Sequence, residues 1–283
     1  LAIENFKKGL ELDKYNINCL KELGEIYEII NDNDNAIKCY KKIIKNESLN
    51  KNTNNTIIYL NQIGVCYFNN SNYEEALKYF KRILEFNRKL NDVYTNIAKS
   101  YFNLRQYKNA EINLLISLKL KDEPTVYSEL GLVYFCLKNY DKSIEYYMKI
   151  NNVLKNPVYA YKLSFPFLAS KKFITGFKLY EYRLKTNDIN TQTGLKERVD
   201  IPIIPFWNGL DKCDNLLLCY EQGMGDNFQY YRFVIQLSEV YPQMKITYFC
   251  KKTIAHIFKE YENINIITDI KALQEETILN LQS

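Results

Sequence analysis

The stretch Tyr59–Leu84, YLNQIGVCYFNNSNYEEALKYFKRIL, contains two runs whose apolar residues recur at helical spacing. The first run is YLNQIGVCYF and the second is ALKYFKRIL. Small residues stand where the axes of two packed helices would come close, and aromatic residues stand where they could fill the space that the small ones leave. The stretch therefore predicts a pair of amphipathic helices packed against each other.

The same pattern recurs along the chain, with steps of 33 or 34 residues and one step of 40. Four series of equivalent positions agree on these steps. The longer step contains six extra residues within the polar stretch NESLNKNTNN, residues 46–55, which predicts a longer surface loop. The four series are Ala2, Ala36, Ala76, Ala110, Ser143 and Gly176; Gly24, Gly64, Ala98, Gly131 and Ser164; Tyr27, Tyr67, Tyr101, Tyr134 and Phe167; and Phe6, Tyr40, Phe80, Leu114, Tyr147 and Tyr180.

This Leu/Gly/Tyr and Ala/aromatic pattern at a 34-residue period resembles the tetratricopeptide repeat. The resemblance implies a mostly α-helical fold, an α-solenoid of helix-turn-helix units over residues 1–185. It predicts five to six repeats, of which the last, Pro157–Lys185, is degenerate. Because the chain begins without Met and inside the second helix of a repeat, we expect that N-terminal residues are missing.

The resemblance also implies a peptide-binding groove lined by the first helix of each repeat. Small polar residues at one level could bond a peptide backbone, and aromatic residues seven positions later could pack its side chains. The alternative is that the aromatic stripe belongs to the core between repeats. The carried-over groove positions are Asn61, Thr95 and Ser128 at the polar level and Phe68, Phe102 and Phe135 at the aromatic level.

The pattern changes after Lys185. Residues 186–200 are polar and aperiodic, which predicts a linker, and residues 201–210, IPIIPFWNGL, contain two prolines that exclude a helix interior. The runs NLLLCY, KITYFC and INIIT predict strands, while NFQYYRFVIQLSEVY and KTIAHIFKEY predict helices between them. Residues 201–283 thus predict a partial Rossmann-like α/β segment of the order β-α-β-α-β, followed by one more helix after residue 269.

The turn EQGMGD, residues 221–226, follows the first predicted strand, where open α/β sheets bind ligands. Gly223 and Gly225 form a GxG, but Phe228 stands where a dinucleotide site needs a third glycine, and no phosphate-binding Lys-Ser or Lys-Thr pair follows. Asp226 could accept a proton from a substrate hydroxyl. It could equally cap the following helix together with Gln229.

The order of these elements resembles a glycosyltransferase-like region found in bacterial-type tetratricopeptide proteins, and it is similar to heptosyltransferases of the GT-B fold. The residues that match are Tyr180, Glu181, Arg183, Trp207, Gly209, Glu221, Gln222, Gly223, Gly225, Asp226, Gln229 and Arg232. The resemblance implies an inverting enzyme with Asp226 as catalytic base and a nucleotide sugar as co-substrate, without a further cofactor. It implies that Glu221, Gln222, Gly223, Gly225, Gln229 and Arg232 bind substrate, although Arg232 could instead be a solvated or Glu-paired helix residue. Because the second GT-B domain has no counterpart before residue 283, we expect this chain alone to be inactive.

Composition limits the classes of partner and the cellular location that this chain can have. A net charge of +5 without a basic cluster argues against a nucleic-acid surface, and the apolar runs are too short to span a membrane. Seven cysteines without CxxC spacing favour a reducing, cytoplasmic location, and a single histidine, His256, excludes a His-based triad or metal cluster. Two hypotheses remain: a repeat protein that binds a protein or peptide and carries a sugar-transferring domain, or a non-enzymatic interaction scaffold with a remnant α/β cap. Neither predicts an oligomeric state.

Overall fold

A computed structural model of the chain describes residues 2–50, 53–186, 213–219, 224–258 and 261–268. These residues fall into two compact units, Leu1–Tyr182 and Arg183–Ser283. The first unit is helical and the second contains the strands, so each is described by itself below.

The described part of the first unit forms helices α1–α11. Each helix packs against the next along the chain, as expected for stacked helical hairpins. We call α2, α4, α6, α8 and α10 the A helices and α1, α3, α5, α7, α9 and α11 the B helices. Their bounds are α1 Ala2–Leu12, α2 Ile17–Ile29, α3 Asn33–Asn50, α4 Thr53–Asn69, α5 Tyr73–Phe86, α6 Asn91–Asn103, α7 Tyr107–Leu120, α8 Pro124–Cys136, α9 Tyr140–Met148, α10 Pro157–Ala169 and α11 Phe173–Tyr180.

Complementary volumes hold each A helix against its B helix. A Cβ added to Gly64 would lie 2.5 Å from the ring of Phe80, which is closer than real Cβ contacts allow. The same approach, at 2.6 Å, joins Gly24 to Tyr40 and Gly131 to Tyr147. The third repeat replaces both partners at once, because Ala98 and Leu114 share one buried cluster there. In these four repeats a glycine faces an aromatic ring, and the larger alanine faces the smaller leucine.

A second periodic feature, which the sequence alone did not reveal, lies in the turns between A and B helices. Five turn residues other than glycine adopt left-handed backbone conformations with φ between 59° and 62°: Asn31, Ser71, Arg105, Lys138 and Lys171. This conformation ends each A helix, because the amide three residues beyond the helix donates to a carbonyl of its last turn, as Asn139 N does to Tyr134 O. A residue with a side chain has a higher free energy than glycine in this left-handed conformation.

The residue after each left-handed position precedes a B helix. Asn72 and Asn139 cap their helices through side-chain oxygens that accept from the amides of Glu75 and Lys142, at 3.3 Å and 3.2 Å. Gln106 stands at the equivalent position of α7 and makes no side-chain cap hydrogen bond.

The prediction of a surface loop at residues 46–55 was wrong in its conformation. Helix α3 continues to Asn50 and helix α4 begins at Thr53, so most of the inserted residues lengthen the two helices. A helix satisfies the backbone polar groups of these residues internally.

The second unit contains a sheet of three parallel strands in the order β1-β2-β3, with β1 Asn215–Cys219, β2 Lys245–Phe249 and β3 Ile264–Ile267. Leu216 pairs with Ile246, and Ile246 pairs with Ile264. Helix α12, Met224–Val240, connects β1 to β2 and buries Tyr231 and Val234 in the cluster that contains these strand residues.

The helix predicted for residues 252–261 is largely absent from the described residues. In the described residues between β2 and β3, the helical structure is limited to a short 3-10 turn, Ala255–Ile257, and Ile254 and Phe258 fill the core beside it. The spacing of these two apolar residues, four apart, suits a helix and a buried turn equally well. The predicted linker, the proline-rich residues 201–210 and the helix predicted after residue 269 lie outside the described residues.

None of the helices in the described ranges is long and apolar enough to cross a membrane. Within those ranges, no group of three or more His, Cys, Asp or Glu side chains is arranged to hold a metal ion. All seven cysteines are free thiols.

Candidate functional site

The three phenylalanines of the predicted groove occupy equivalent places in consecutive repeats. Each is half-buried and contacts the tyrosine that begins the next B helix. The ring centroids lie 5.2 Å apart for Phe68 and Tyr73, 5.4 Å for Phe102 and Tyr107, and 5.8 Å for Phe135 and Tyr140. Phe68 and Phe102 also pack against buried core clusters, and Phe135 lies 6.3 Å from Phe165 of α10, so only part of each ring is accessible to solvent or to a ligand.

The polar positions differ among themselves. Asn61 Oδ1 accepts a hydrogen bond from Asn96 Nδ2 at 3.3 Å, which joins two neighbouring A helices. Thr95 Oγ1 lies 3.0 Å from Ser117 Oγ of the B helix α7, and Ser128 is only 3% exposed. Asn61 therefore lies at a surface between A helices, whereas Thr95 contacts α7 and Ser128 is buried.

Ten A-helix residues that the sequence reasoning did not select form a partly or fully exposed surface, which we call the A-helix face. They stand two residues before and one residue after the small residue of each A helix. A signal for them existed in the sequence, since both positions recur at the repeat period outside the apolar stripe. The A-helix face consists of Glu22, Gln62, Asn96, Glu129 and Lys162 and of Glu25, Val65, Lys99, Leu132 and Phe165.

Side chains on or beside this face join neighbouring A helices directly. Lys99 Nζ lies 3.9 Å from Glu129 Oε1, between α6 and α8. Glu28, on α2, accepts hydrogen bonds from two residues of α4: Gln62 Nε2 lies 3.3 Å from its Oε2 and Cys66 Sγ lies 3.2 Å from its Oε1. The A helices therefore lie side by side in lateral contact.

Helix α2 is the acidic end of this surface. Glu22 and Glu25 share a nearby cation, Lys21, whose Nζ lies 3.9 Å and 3.7 Å from their carboxylates. Burial raises the pKa of Glu28, against the opposing effect of the hydrogen bond from Cys66.

The α/β unit brings three of the predicted substrate-binding residues onto one helix face. Gly225, Gln229 and Arg232 stand at i, i+4 and i+7 of α12 and all are exposed. The Arg232 guanidinium lies 4.7 Å from the ring centroid of Phe233. Gly225 has helical neighbours on both sides, and a Cβ added to it would meet nothing within 4 Å. The local packing thus gives no steric reason for a glycine there.

The expected capping role of Asp226 does not fit the helix boundary. Helix α12 begins at Met224, which makes Asp226 the third residue of the helix and not its N-cap. Glu221, Gln222 and Gly223, together with Trp207 and Gly209, lie outside the described residues.

Asn227, which the sequence reasoning passed over, ties the first turn of α12 to the sheet. Its Oδ1 accepts a hydrogen bond from Tyr248 Oη of β2 at 2.8 Å, and both residues are buried. Burial raises the pKa of Tyr248 to about 12, so this phenol stays a donor at neutral pH. This bond holds the first turn of α12 against β2.

The matches to a family model fall on the helical unit. The tetratricopeptide repeat family matches residues 57–90 and also residues 22–48 and 124–152. The chain is 34% identical over 92 residues to tetratricopeptide repeat protein 12 of Homo sapiens, which covers 32% of this chain and 13% of that protein. It is 24% identical over 114 residues to tetratricopeptide repeat protein 8 of Caenorhabditis elegans, which covers 40% of this chain and 21% of that protein. The matched segments thus span about a fifth or less of these two relatives.

Among solved structures, the chain is similar to a tetratricopeptide repeat protein from Parabacteroides merdae, with a TM-score of 0.56 and 16% identity, over 65% of this chain and 71% of that one. At this identity the likeness concerns the fold alone. It agrees with the period, the paired helices and the interlocking small and aromatic residues of the first unit. The three segments that match the family lie between residues 22 and 152, outside the α/β unit. The helical unit therefore contains three segments that match the tetratricopeptide repeat, and its fold is that of a helical repeat solenoid.

Proposed function

We propose that the helical unit binds an extended peptide segment of a partner protein along the A helices. The observation that carries this proposal is the recurrence of a half-exposed phenylalanine at the same place in three consecutive repeats, Phe68, Phe102 and Phe135. Half-buried aromatic side chains in a regular row can supply contact area to a ligand at a small cost in side-chain entropy, because their rings are already held by the repeat. Asn61 and Asn96 place amide groups between the A helices, where they can bond a peptide backbone.

Selection of binders from a displayed random peptide library tests this proposal on the purified chain. The selected peptides should lose most of their affinity for the double variant Phe102→Ala and Phe135→Ala, while its far-UV circular dichroism stays helical. Phe86→Ala is the matched control, because Phe86 is 44% exposed at the end of a B helix and lies away from the row. If the double variant unfolds, the single variants Phe102→Ala and Phe135→Ala replace it. Failure to select any peptide, or equal loss with Phe86→Ala, would refute the proposal.

We propose in second place that the α/β unit belongs to a GT-B-like glycosyltransferase domain in which Asp226 acts as base on an acceptor hydroxyl. Supporting it are the three parallel strands, the alignment of Gly225, Gln229 and Arg232 on one exposed helix face, and the lack of a packing reason for Gly225. A glycine inside a helix costs about 1 kcal/mol relative to alanine, which a close approach of ligand to backbone would explain.

The test requires a chain that includes a donor-binding domain and measures transfer of labelled sugar from a set of nucleotide sugars. Asp226→Asn should abolish transfer and leave the circular dichroism unchanged. Glu239→Gln, which changes an exposed carboxylate on the same helix, should leave transfer intact. Transfer that survives Asp226→Asn would remove this residue as the base, and the absence of transfer from every nucleotide sugar would leave the helical unit as the functional part.

A further inference from the structure

The spacing of neighbouring A helices restricts the conformation of a peptide that crosses them. These helices touch through the pairs Gln62–Glu28, Asn96–Asn61 and Glu129–Lys99. Helices in direct contact have axes about 8–10 Å apart. Equivalent residues such as Phe68, Phe102 and Phe135 therefore repeat at about that distance across the surface.

An extended chain in the polyproline II conformation matches this distance. It has three residues per turn and rises about 3.1 Å per residue, so side chains three apart point the same way at intervals of about 9.3 Å. A β-strand presents side chains on one face at intervals of only about 6.6 Å. An α-helix reaches a similar interval only with every seventh residue, at about 10.5 Å.

The row of phenylalanines ends in a carboxylate. Glu28 stands four residues after Gly24, as Phe68 stands four residues after Gly64. The hydrogen bonds from Gln62 and Cys66 hold the Glu28 carboxylate on this row. Glu22 and Glu25 lie beside it on α2, and Lys21 is the single cation paired with them in the described contacts. The surface that meets the ligand thus changes from aromatic on α4, α6 and α8 to acidic on α2.

We infer that the A-helix face, with the row Glu28, Phe68, Phe102 and Phe135, binds a polyproline II peptide that carries an apolar side chain at every third residue and a basic side chain one step of three beyond them. This inference rests on the proposed peptide-binding function and specifies its ligand. Charge complementarity to α2 selects the basic residue, and the lateral spacing of the A helices selects the period.

The peptide selection described above separates this inference from the function on which it rests. The selected sequences should share apolar residues at i, i+3 and i+6 and Lys or Arg three residues before or after that set. Selected peptides with apolar residues at alternate positions, at a period of seven, or without a basic residue would overturn the inference while leaving peptide binding established. An empty selection would overturn both.

Three synthetic fluorescent peptides then measure the two features. The first has Arg followed by Leu at three successive third positions with Pro elsewhere. The second has the same composition with Leu at alternate positions. The third has Glu in place of Arg. We expect the second and third to bind about tenfold more weakly, a difference of about 1.4 kcal/mol. Equal binding of the first two would overturn the period, and equal binding of the first and third would overturn the charge.

Variants assign the charge effect to α2. Glu25→Gln combined with Glu28→Gln should remove the preference for Arg over Glu and keep the preference for the period of three. Glu145→Gln is the matched control, because Glu145 is an exposed, Lys-paired carboxylate on the B helix α9. An unchanged Arg preference in the α2 double variant, or its loss in Glu145→Gln, would overturn the assignment.

Discussion

A double substitution can test whether the contact between Gly64 and Phe80 sets the packing of the second complete repeat. In Gly64→Ala the new Cβ would lie 2.5 Å, 2.8 Å and 2.9 Å from three ring carbons of Phe80, which is 1% exposed and cannot move into solvent. Overpacking of this kind costs about 1–3 kcal/mol, and alanine returns about 1 kcal/mol of helix propensity. We therefore expect a net loss of about 1 kcal/mol in the free energy of unfolding.

The third repeat suggests the compensating change, since Ala98 and Leu114 occupy the same two positions there and both are buried. Phe80→Leu alone leaves a void and should cost about 1–2 kcal/mol, less than the 3–5 kcal/mol of a Phe→Ala change. In the double variant the added methyl group fills part of that void. The two changes should then couple by about 1–2 kcal/mol, so the double variant is more stable than the sum of the single effects allows.

Urea denaturation followed by far-UV circular dichroism measures the free energy of unfolding of the parent chain, the two single variants and the double variant. Additive effects, within about 0.5 kcal/mol, would refute the idea that the glycine and the ring share one volume. Gly225→Ala is the control for propensity alone, because a Cβ there meets nothing within 4 Å. It should stabilise the α/β unit by about 1 kcal/mol.

Three further substitutions probe the turns and the half-buried carboxylate. Lys138→Gly should raise the free energy of unfolding by up to about 1 kcal/mol and so raise the urea midpoint, because φ is 59° there and glycine adopts this conformation without strain. A lowered midpoint would show that the turn is not strained. Gln106→Asn should stabilise α7 by about 1 kcal/mol by supplying the cap that Asn72 and Asn139 supply elsewhere, and an unchanged midpoint would count against it. Glu28 has a raised pKa in the folded chain, so its contribution to stability is full below its unfolded pKa and is lost as the pH rises through the folded value. Glu28→Gln should therefore lose less stability than the parent chain as the pH rises above about 4, the ordinary pKa of a glutamate in an unfolded chain, and parallel pH profiles would contradict the burial of this carboxylate.

The position of Asp226 shows where local pattern reasoning stops. A carboxylate three residues before a glutamine is a good capping pattern, and the sequence offers no means of seeing that α12 already begins at Met224. The 3-10 turn at Ala255–Ile257 shows the same limit, because apolar residues at helical spacing also serve a turn whose ends are buried in the sheet core.

Sequence alone determined the repeat, the pairing of helices and the change to a parallel sheet, because each depends on spacing along the chain and on side-chain volume. The small residue and the large residue of each repeat lie 16 residues apart along the chain, as Gly64 and Phe80 do. The tertiary structure decided which side of each helix meets solvent. It separated Thr95, in contact with Ser117, and the buried Ser128 from Asn61, and it placed Glu28 beside Gln62 and Cys66 at the acidic end of the A helices. These contacts join residues of different helices. The rotation of each helix about its own axis is fixed only when the repeats stack.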